Sequence, residues 1–141
     1  MSLCQRIRAV DISQALEALK TTEFVDTKGL GGHICFPSWA MDFATSLNLG
    51  TVAHVIVRKL PAYQGIAPHI DEERYEPWVN VGTRYHVPLV THPGVTIRWP
   101  EHGEEHHLEA GWLYTVDYSK THEVVNLAPI DRIHLIANVI A

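Results

Sequence analysis

His69 and Asp71 stand two apart in the stretch QGIAPHIDEERYEPW, residues 64–78. On an extended strand, residues two apart point to the same side. An imidazole and a carboxylate placed this way can be offered together to one metal ion. The alternative is two ordinary polar residues at a strand end, and ten histidines among 141 residues make chance pairings easy. A third ligand from elsewhere is therefore needed. His122, at the edge of the apolar run in YSKTHEVVNLAPIDRIHLI (118–136), can supply it. Two histidines and one carboxylate on one face of a metal leave adjacent positions open for other ligands, the arrangement of non-haem Fe(II) sites.

Cationic residues surround this set. Arg132 opens the last apolar run ten residues after His122, room for a strand end, a turn near 126–131 and entry into the next strand. His122 and Arg132 are then expected side by side on facing strands. Arg84 and His86 in RYHVPLV share one face of their strand, and His134 alternates with Arg132 and can reach the same pocket. Other candidates carry less. His102, His106 and His107 in PEHGEEHH read as a solvated Glu-rich turn, and His33, His54 and His92 as structural or exposed. Trp99, Trp112 and Tyr114 are expected to fill the core, whereas Trp78, in the loop after Asp71, suits a lid or substrate wall.

The elements that must hold these residues are mostly strands. DISQALEALKT (11–21) has a helical apolar face with Asp11 as its N-cap, and PSWAMDFATSLNLG (37–50) reads as a second helix between Pro37 and Gly50. KGLGGH (28–33) is a Gly-rich break. From Thr51 the runs 51–60, 84–90, 94–100, 106–118 and 131–141 are β-branched or aromatic, separated by Pro, Gly and charged turns. The expected fold is mainly β with N-terminal helices: a double-stranded β-helix, or jelly-roll, cupin-like barrel. We expect a single domain over 1–141, with a helical part (1–50) packed on a jelly-roll core (51–141).

Composition narrows the partners. A net charge of −5 without a basic stripe argues against nucleic acid. No apolar run approaches the length of a membrane span, and the N-terminus lacks the pattern of a signal peptide. Two cysteines without a framework of spacings suit a reducing, cytoplasmic compartment.

If the open positions of the metal hold a 2-oxo acid through its carboxylate and ketone, its far carboxylate needs a planar, bidentate partner, and arginine is one. His69-x-Asp71, the distal His122 and Arg132 beyond it resemble the Fe(II)/2-oxoglutarate dioxygenases. With Arg84 and His86 of RYHVPL, the closer resemblance is to the aspartyl/asparaginyl β-hydroxylase-like family, over roughly residues 51–141. The resemblance implies Fe(II) on His69, Asp71 and His122, and 2-oxoglutarate as cosubstrate with its distal carboxylate on Arg132. Arg84 and His86 would help position the cosubstrate or an anionic substrate. O₂ and a small-molecule or peptide substrate would complete the reaction, a C–H hydroxylation. The interval EERYEPWVNVGT between Asp71 and Arg84, and the presence of Asp71 itself, argue against an aspartyl residue of a protein domain as that substrate. A second reading is a small cupin-type metal protein without 2-oxoglutarate, acting as an isomerase, a hydrolase or a ligand-binding module.

Overall fold

The structure, a computed structural model, describes residues 2–28, 31–71 and 81–141. Its strands are β1 (Cys4–Ala9), β2 (Val25–Asp26), β3 (His33–Cys35), β4 (Thr51–Leu60), β5 (Ile66–His69), β6 (Thr83–Val90), β7 (Val95–Trp99), β8 (Glu104–His106), β9 (Trp112–Val116), β10 (His122–Asn126) and β11 (Arg132–Ile140). Two helices, α1 (Ser13–Leu19) and α2 (Ser38–Ser46), precede β4. One sheet runs β1-β9-β6-β11-β4-β3-β2 and the other β5-β10-β7-β8, with every pairing antiparallel. From β4 onward the chain winds back and forth: β4, β6, β9 and β11 join the larger sheet, and β5, β7, β8 and β10 the smaller. That is the expected jelly-roll, eight strands in two facing sheets.

Strand periodicity explains which face of the larger sheet does what. Along β11, Leu135, Ala137 and Val139 point one way and join Val55, Val57, Val87, Leu89 and Leu113 from the neighbouring strands. Ala15, Ala40, Ala44 and Leu47 from the helices close over them. The small alanines let α1 and α2 lie close to the sheet, and each fully buried Val or Leu stabilises the fold by roughly 1.5–3 kcal/mol. The alternate residues of the same strands face the smaller sheet, and Arg84, His86, Arg132, His134 and Asn138 are among them, all buried.

A second apolar cluster, with Leu3, Ile97, Trp99, Leu108, Tyr114 and Val116, fills another part of the core. Trp99 is fully buried and its Nε1 donates to the Asp117 carbonyl at 3.2 Å; the Tyr114 hydroxyl accepts from the Glu109 amide at 2.9 Å. Both thus fill the core as expected. Trp112 is only partly buried and lies under the Arg6 guanidinium at 4.2 Å.

Two elements differ from expectation. The first fifty residues hold three strands besides the two helices. β1 escapes a pattern search because only Cys4 of its six residues is buried, so it shows no alternation. It is recruited by pairing with β9, Cys4 opposite Val116. The run 106–118 is two strands, not one: β8 ends at His106 in the smaller sheet, and β9 starts at Trp112 in the larger. Gly111, at φ +79°, takes the left-handed turn just before β9, which suits a residue without a Cβ. Asp11 caps by a different route as well: its Oδ1 accepts from the Ser13 amide at 2.9 Å and the Ser13 hydroxyl at 2.7 Å, while Ile12 occupies the cap position. Among the described residues no helix is long and apolar enough to cross a membrane.

Candidate metal centre

The site begins with the pairing of β10 and β5, which sets His122 directly opposite His69. Gly65 permits that approach, because a Cβ there would collide with the Val124 carbonyl oxygen. The two rings lie 4.5 Å apart between centroids. Each Nδ1 is 2.7 Å from a backbone carbonyl two residues earlier, Ala67 for His69 and Lys120 for His122. Carbonyls only accept, so both Nδ1 atoms carry the proton and donate. Each Nε2 of a neutral ring is then a bare lone pair, the tautomer a metal ligand requires.

Those lone pairs converge on Asp71. Its Oδ1 lies 3.0 Å from His69 Nε2 and 3.4 Å from His122 Nε2. Three acceptors this close repel one another unless a proton or a metal cation stands among them. One ligand atom from each residue lies within 4.8 Å of the others, and among the described residues this is the one group of three or more His, Cys, Asp or Glu side chains so arranged. Two nitrogens and one carboxylate oxygen suit a divalent first-row metal.

Arg84 holds the carboxylate from behind. From β6 in the other sheet, its Nη1 reaches Asp71 Oδ2 at 3.5 Å, with the Tyr118 ring 5.8 Å from its guanidinium. Burial alone would raise the Asp71 carboxyl. Where a proton rather than a metal stands among these atoms, the resulting hydrogen bonds from His122 and His69, with Arg84 beside them, outweigh burial and hold the group well below the usual carboxylate range. His69 moves the other way: its hydrogen bond to Asp71 raises its pKa against the effect of burial. Arg84 therefore serves the candidate ligand Asp71 directly, which its spacing from His86 did not reveal.

Arg132 does not sit beside His122 within one sheet. β10 lies in the smaller sheet and β11 in the larger, and the turn between them is fastened by Asn126, whose Nδ2 donates to Pro61 and Ile130 carbonyls while its Oδ1 accepts from the Ala128 amide. The two residues meet across the sandwich. Both line one cleft with His69, Asp71, Arg84 and His86, enclosing about 430 Å³ of empty space counting the part open to solvent. Arg132 is buried to 3% exposure, and among the described residues its Nε and Nη1 have no hydrogen-bond partner. Desolvation, then the nearby Arg58 charge, pushes its pKa down to about 9, so it remains cationic at neutral pH.

His86 and His134 are neutral: burial first, then the arginine charges around them, places both well below the ordinary histidine range. Their Nδ1 atoms are 3.0 Å apart. Arg58, which also lines the cleft, was not singled out from the sequence; it sits on β4 opposite His134. Its one sequence signal is a cation directly after the apolar stretch VIV in TVAHVIVRKL. Gly31, at φ +113°, lies against it, and a Cβ there would stand 2.9 Å from Arg58 Nη1. The Glu-rich segment is strand β8 rather than a solvated turn, and it is separate from the triad: His102 is exposed, while half-buried His106 pairs with Glu104 at 3.2 Å and His107 donates to the Val95 carbonyl. Trp78 lies outside the described residues.

The sequence pattern of the aspartyl/asparaginyl beta-hydroxylase family matches residues 41–141. The chain belongs to that family. The match takes in all eight jelly-roll strands and with them His69, Asp71, Arg84, His86, His122 and Arg132. No curated protein matches the chain by sequence. Among solved structures, a cupin domain from Bordetella pertussis Tohama I is similar, with 19% identity, 66% of this chain and 93% of that chain covered, and a TM-score of 0.47.

Proposed function

We propose that this member of the family is an Fe(II)- and 2-oxoglutarate-dependent dioxygenase that hydroxylates a C–H bond of an amino acid, a peptide side chain or a small metabolite. 2-Oxoglutarate is decarboxylated to succinate and CO₂ in the same cycle. Arg132 is the observation that carries this reading. A buried guanidinium with two nitrogens that lack acceptors among the described residues is unfavourable, by about 1–3 kcal/mol per unmade hydrogen bond and more for a charged group. A carboxylate entering the cleft removes that penalty, and the planar fork matches it bidentately. A metal-binding jelly-roll that does not use such a diacid leaves Arg132 unexplained.

His69, Asp71 and His122 would hold Fe(II), and their donor set fits: two lone pairs fixed by backbone acceptors and one carboxylate with Arg84 at its other oxygen. When bound, iron supplies the redox chemistry that couples O₂ to the cosubstrate and the C–H bond. The protein's own residues orient and exclude. Arg132 fixes the far end of the cosubstrate across the sandwich, and Ile66, Ile97, Val116 and Ile136 give the cleft apolar walls that limit water.

The test is an anaerobic titration of the Fe(II) protein with 2-oxoglutarate, followed by its visible charge-transfer band. Wild type should develop the band. Arg132→Ala should keep Fe(II) and lose about a hundred- to a few-thousand-fold in 2-oxoglutarate affinity, since unpairing a buried charge costs about 3–5 kcal/mol. Equal affinity in the two proteins sinks the reading and favours the metal-binding protein without 2-oxoglutarate.

A further inference from the structure

Beyond the triad and Arg132, the larger sheet buries a second pair of imidazoles, His86 on β6 and His134 on β11. Their rings meet edge to face, 5.3 Å between centroids, with Nδ1 facing Nδ1 at 3.0 Å. Two like nitrogens at that distance are compatible only when one carries a proton and the other a lone pair. Both rings are neutral, so the pair holds complementary tautomers: whichever ring has its proton on Nδ1, the other has it on Nε2.

The surroundings choose between the two arrangements. His134 and Arg132 border one small cavity with Thr91. Among the described residues the unpartnered buried atoms there are Arg132 Nε and Nη1, Thr91 Oγ1 and His134 Nε2. The guanidinium contributes donors only. A proton on His134 Nε2 would add another donor beside that cation, whereas a lone pair there gives the cluster an acceptor. The proton of His134 therefore belongs on Nδ1. His86 then accepts at Nδ1 and carries its proton on Nε2, the nitrogen turned away from His134.

We infer that His134 is a positioning residue, which by donating to His86 keeps His86 in the tautomer that presents an Nε2–H donor to a carboxylate ligand in the triad cleft. This rests on the 2-oxo acid reading of that cleft. Arg132 and His86 then act on one ligand from β11 and β6, and His134 ties the two strands' contributions together.

The test is long-range ¹H–¹⁵N correlation of the histidine rings in the metal-free protein, which reports tautomers without any turnover. Wild type should show His86 protonated at Nε2 and His134 at Nδ1. The reversed assignment, or a doubly protonated His86, overturns the inference. The second arm titrates 2-oxoglutarate into the anaerobic Fe(II) protein. His134→Leu removes the donor and should weaken binding roughly tenfold or more, the scale of one hydrogen bond to an ionised group. His134→Asn keeps an amide N–H near the position of Nδ1 and should restore both the His86 tautomer and near wild-type affinity. Equal loss in both variants with His86 still protonated at Nε2 assigns His134 to packing and overturns the proposal. A wild type that binds no 2-oxoglutarate overturns the dioxygenase reading, while the ring assignments still decide the tautomer claim.

Discussion

The two faces of the larger sheet are built from alternate residues of the same strands, and both are buried. The face under the helices is apolar throughout: Val55, Val57, Val87, Leu89, Leu135, Ala137 and Val139 meet alanines and Leu47. The face toward the smaller sheet carries Arg84, His86, Arg132, His134 and Asn138 among apolar neighbours. Burying polar and charged groups is unfavourable unless each is paired. One face therefore stabilises the fold, and the other spends part of that stability to hold charged and polar groups around a cleft. Period-two alternation lets one strand do both.

The largest effect that tests this division lies at the triad. His122→Ala should reduce metal affinity by more than the roughly 10–100-fold that follows loss of a group merely supporting a ligand. It should also abolish turnover while leaving the helix-side packing intact. Metal titration with a circular-dichroism melt separates the two effects. Metal affinity at the wild-type level would remove His122 from the site.

Leu135→Ala probes the opposite face on the same strand as Arg132. Truncating a fully buried leucine costs about 2–5 kcal/mol, depending on how far the helices settle into the space. Denaturant unfolding should show that loss, and metal affinity should stay unchanged. A shift in metal affinity of tenfold or more would mean that the two faces are mechanically coupled through β11.

Arg132→Met should behave in the reverse manner. Exchanging buried charge for apolar volume is often neutral or stabilising, by up to about 4 kcal/mol. The ligand-free variant should unfold at the same or higher denaturant concentration than wild type, and 2-oxoglutarate should raise the melting temperature of wild type but not of the variant. A variant destabilised by several kcal/mol would show that Arg132 supports the fold and would erase the contrast between the faces.

How much of this was legible in the sequence follows from the same alternation. β4, β6, β7 and β11 were readable because apolar side chains recur along them, and the jelly-roll followed from their number and spacing. His69-x-Asp71 was readable because a two-residue spacing on a strand implies one side. Where the period is hidden, reading fails. β1 is an edge strand with Arg6 and Arg8 exposed, and its place is set by pairing with β9, a long-range event with no local mark. Arg58 stands near the end of its strand as a solvated cation would, and its place in the cleft depends on its register opposite His134 and the approach of Gly31. The role of Arg84 as a support for Asp71 crosses between sheets, so no spacing along the chain encodes it.

The smallest effect, and the one that weighs the two kinds of buried histidine against each other, is the pH dependence. His69 has a raised pKa, chiefly from its hydrogen bond to Asp71. In the metal-free protein it contributes stability fully present below the unfolded value of about 6.5 and lost as pH rises through its higher folded value. His86 and His134 are depressed by burial and by the arginines, so they act oppositely: their neutral burial favours folding above about 6.5 and opposes it as pH falls below. Two outweigh one. The denaturation midpoint of the metal-free protein should therefore fall on acidification below about pH 6.5. Metal binding isolates His69, because proton and metal compete for the same Nε2 lone pair. Each imidazole that must surrender a proton costs the metal about tenfold in affinity per pH unit. Cobalt(II) or Fe(II) titrations between about pH 7.5 and 5.5 should show that decline, and the metal-loaded protein should lose stability on acidification more steeply than the metal-free one. A metal affinity that stays flat across the range would mean that His69 Nε2 carries no competing proton, and the convergence of lone pairs on Asp71 would need another account.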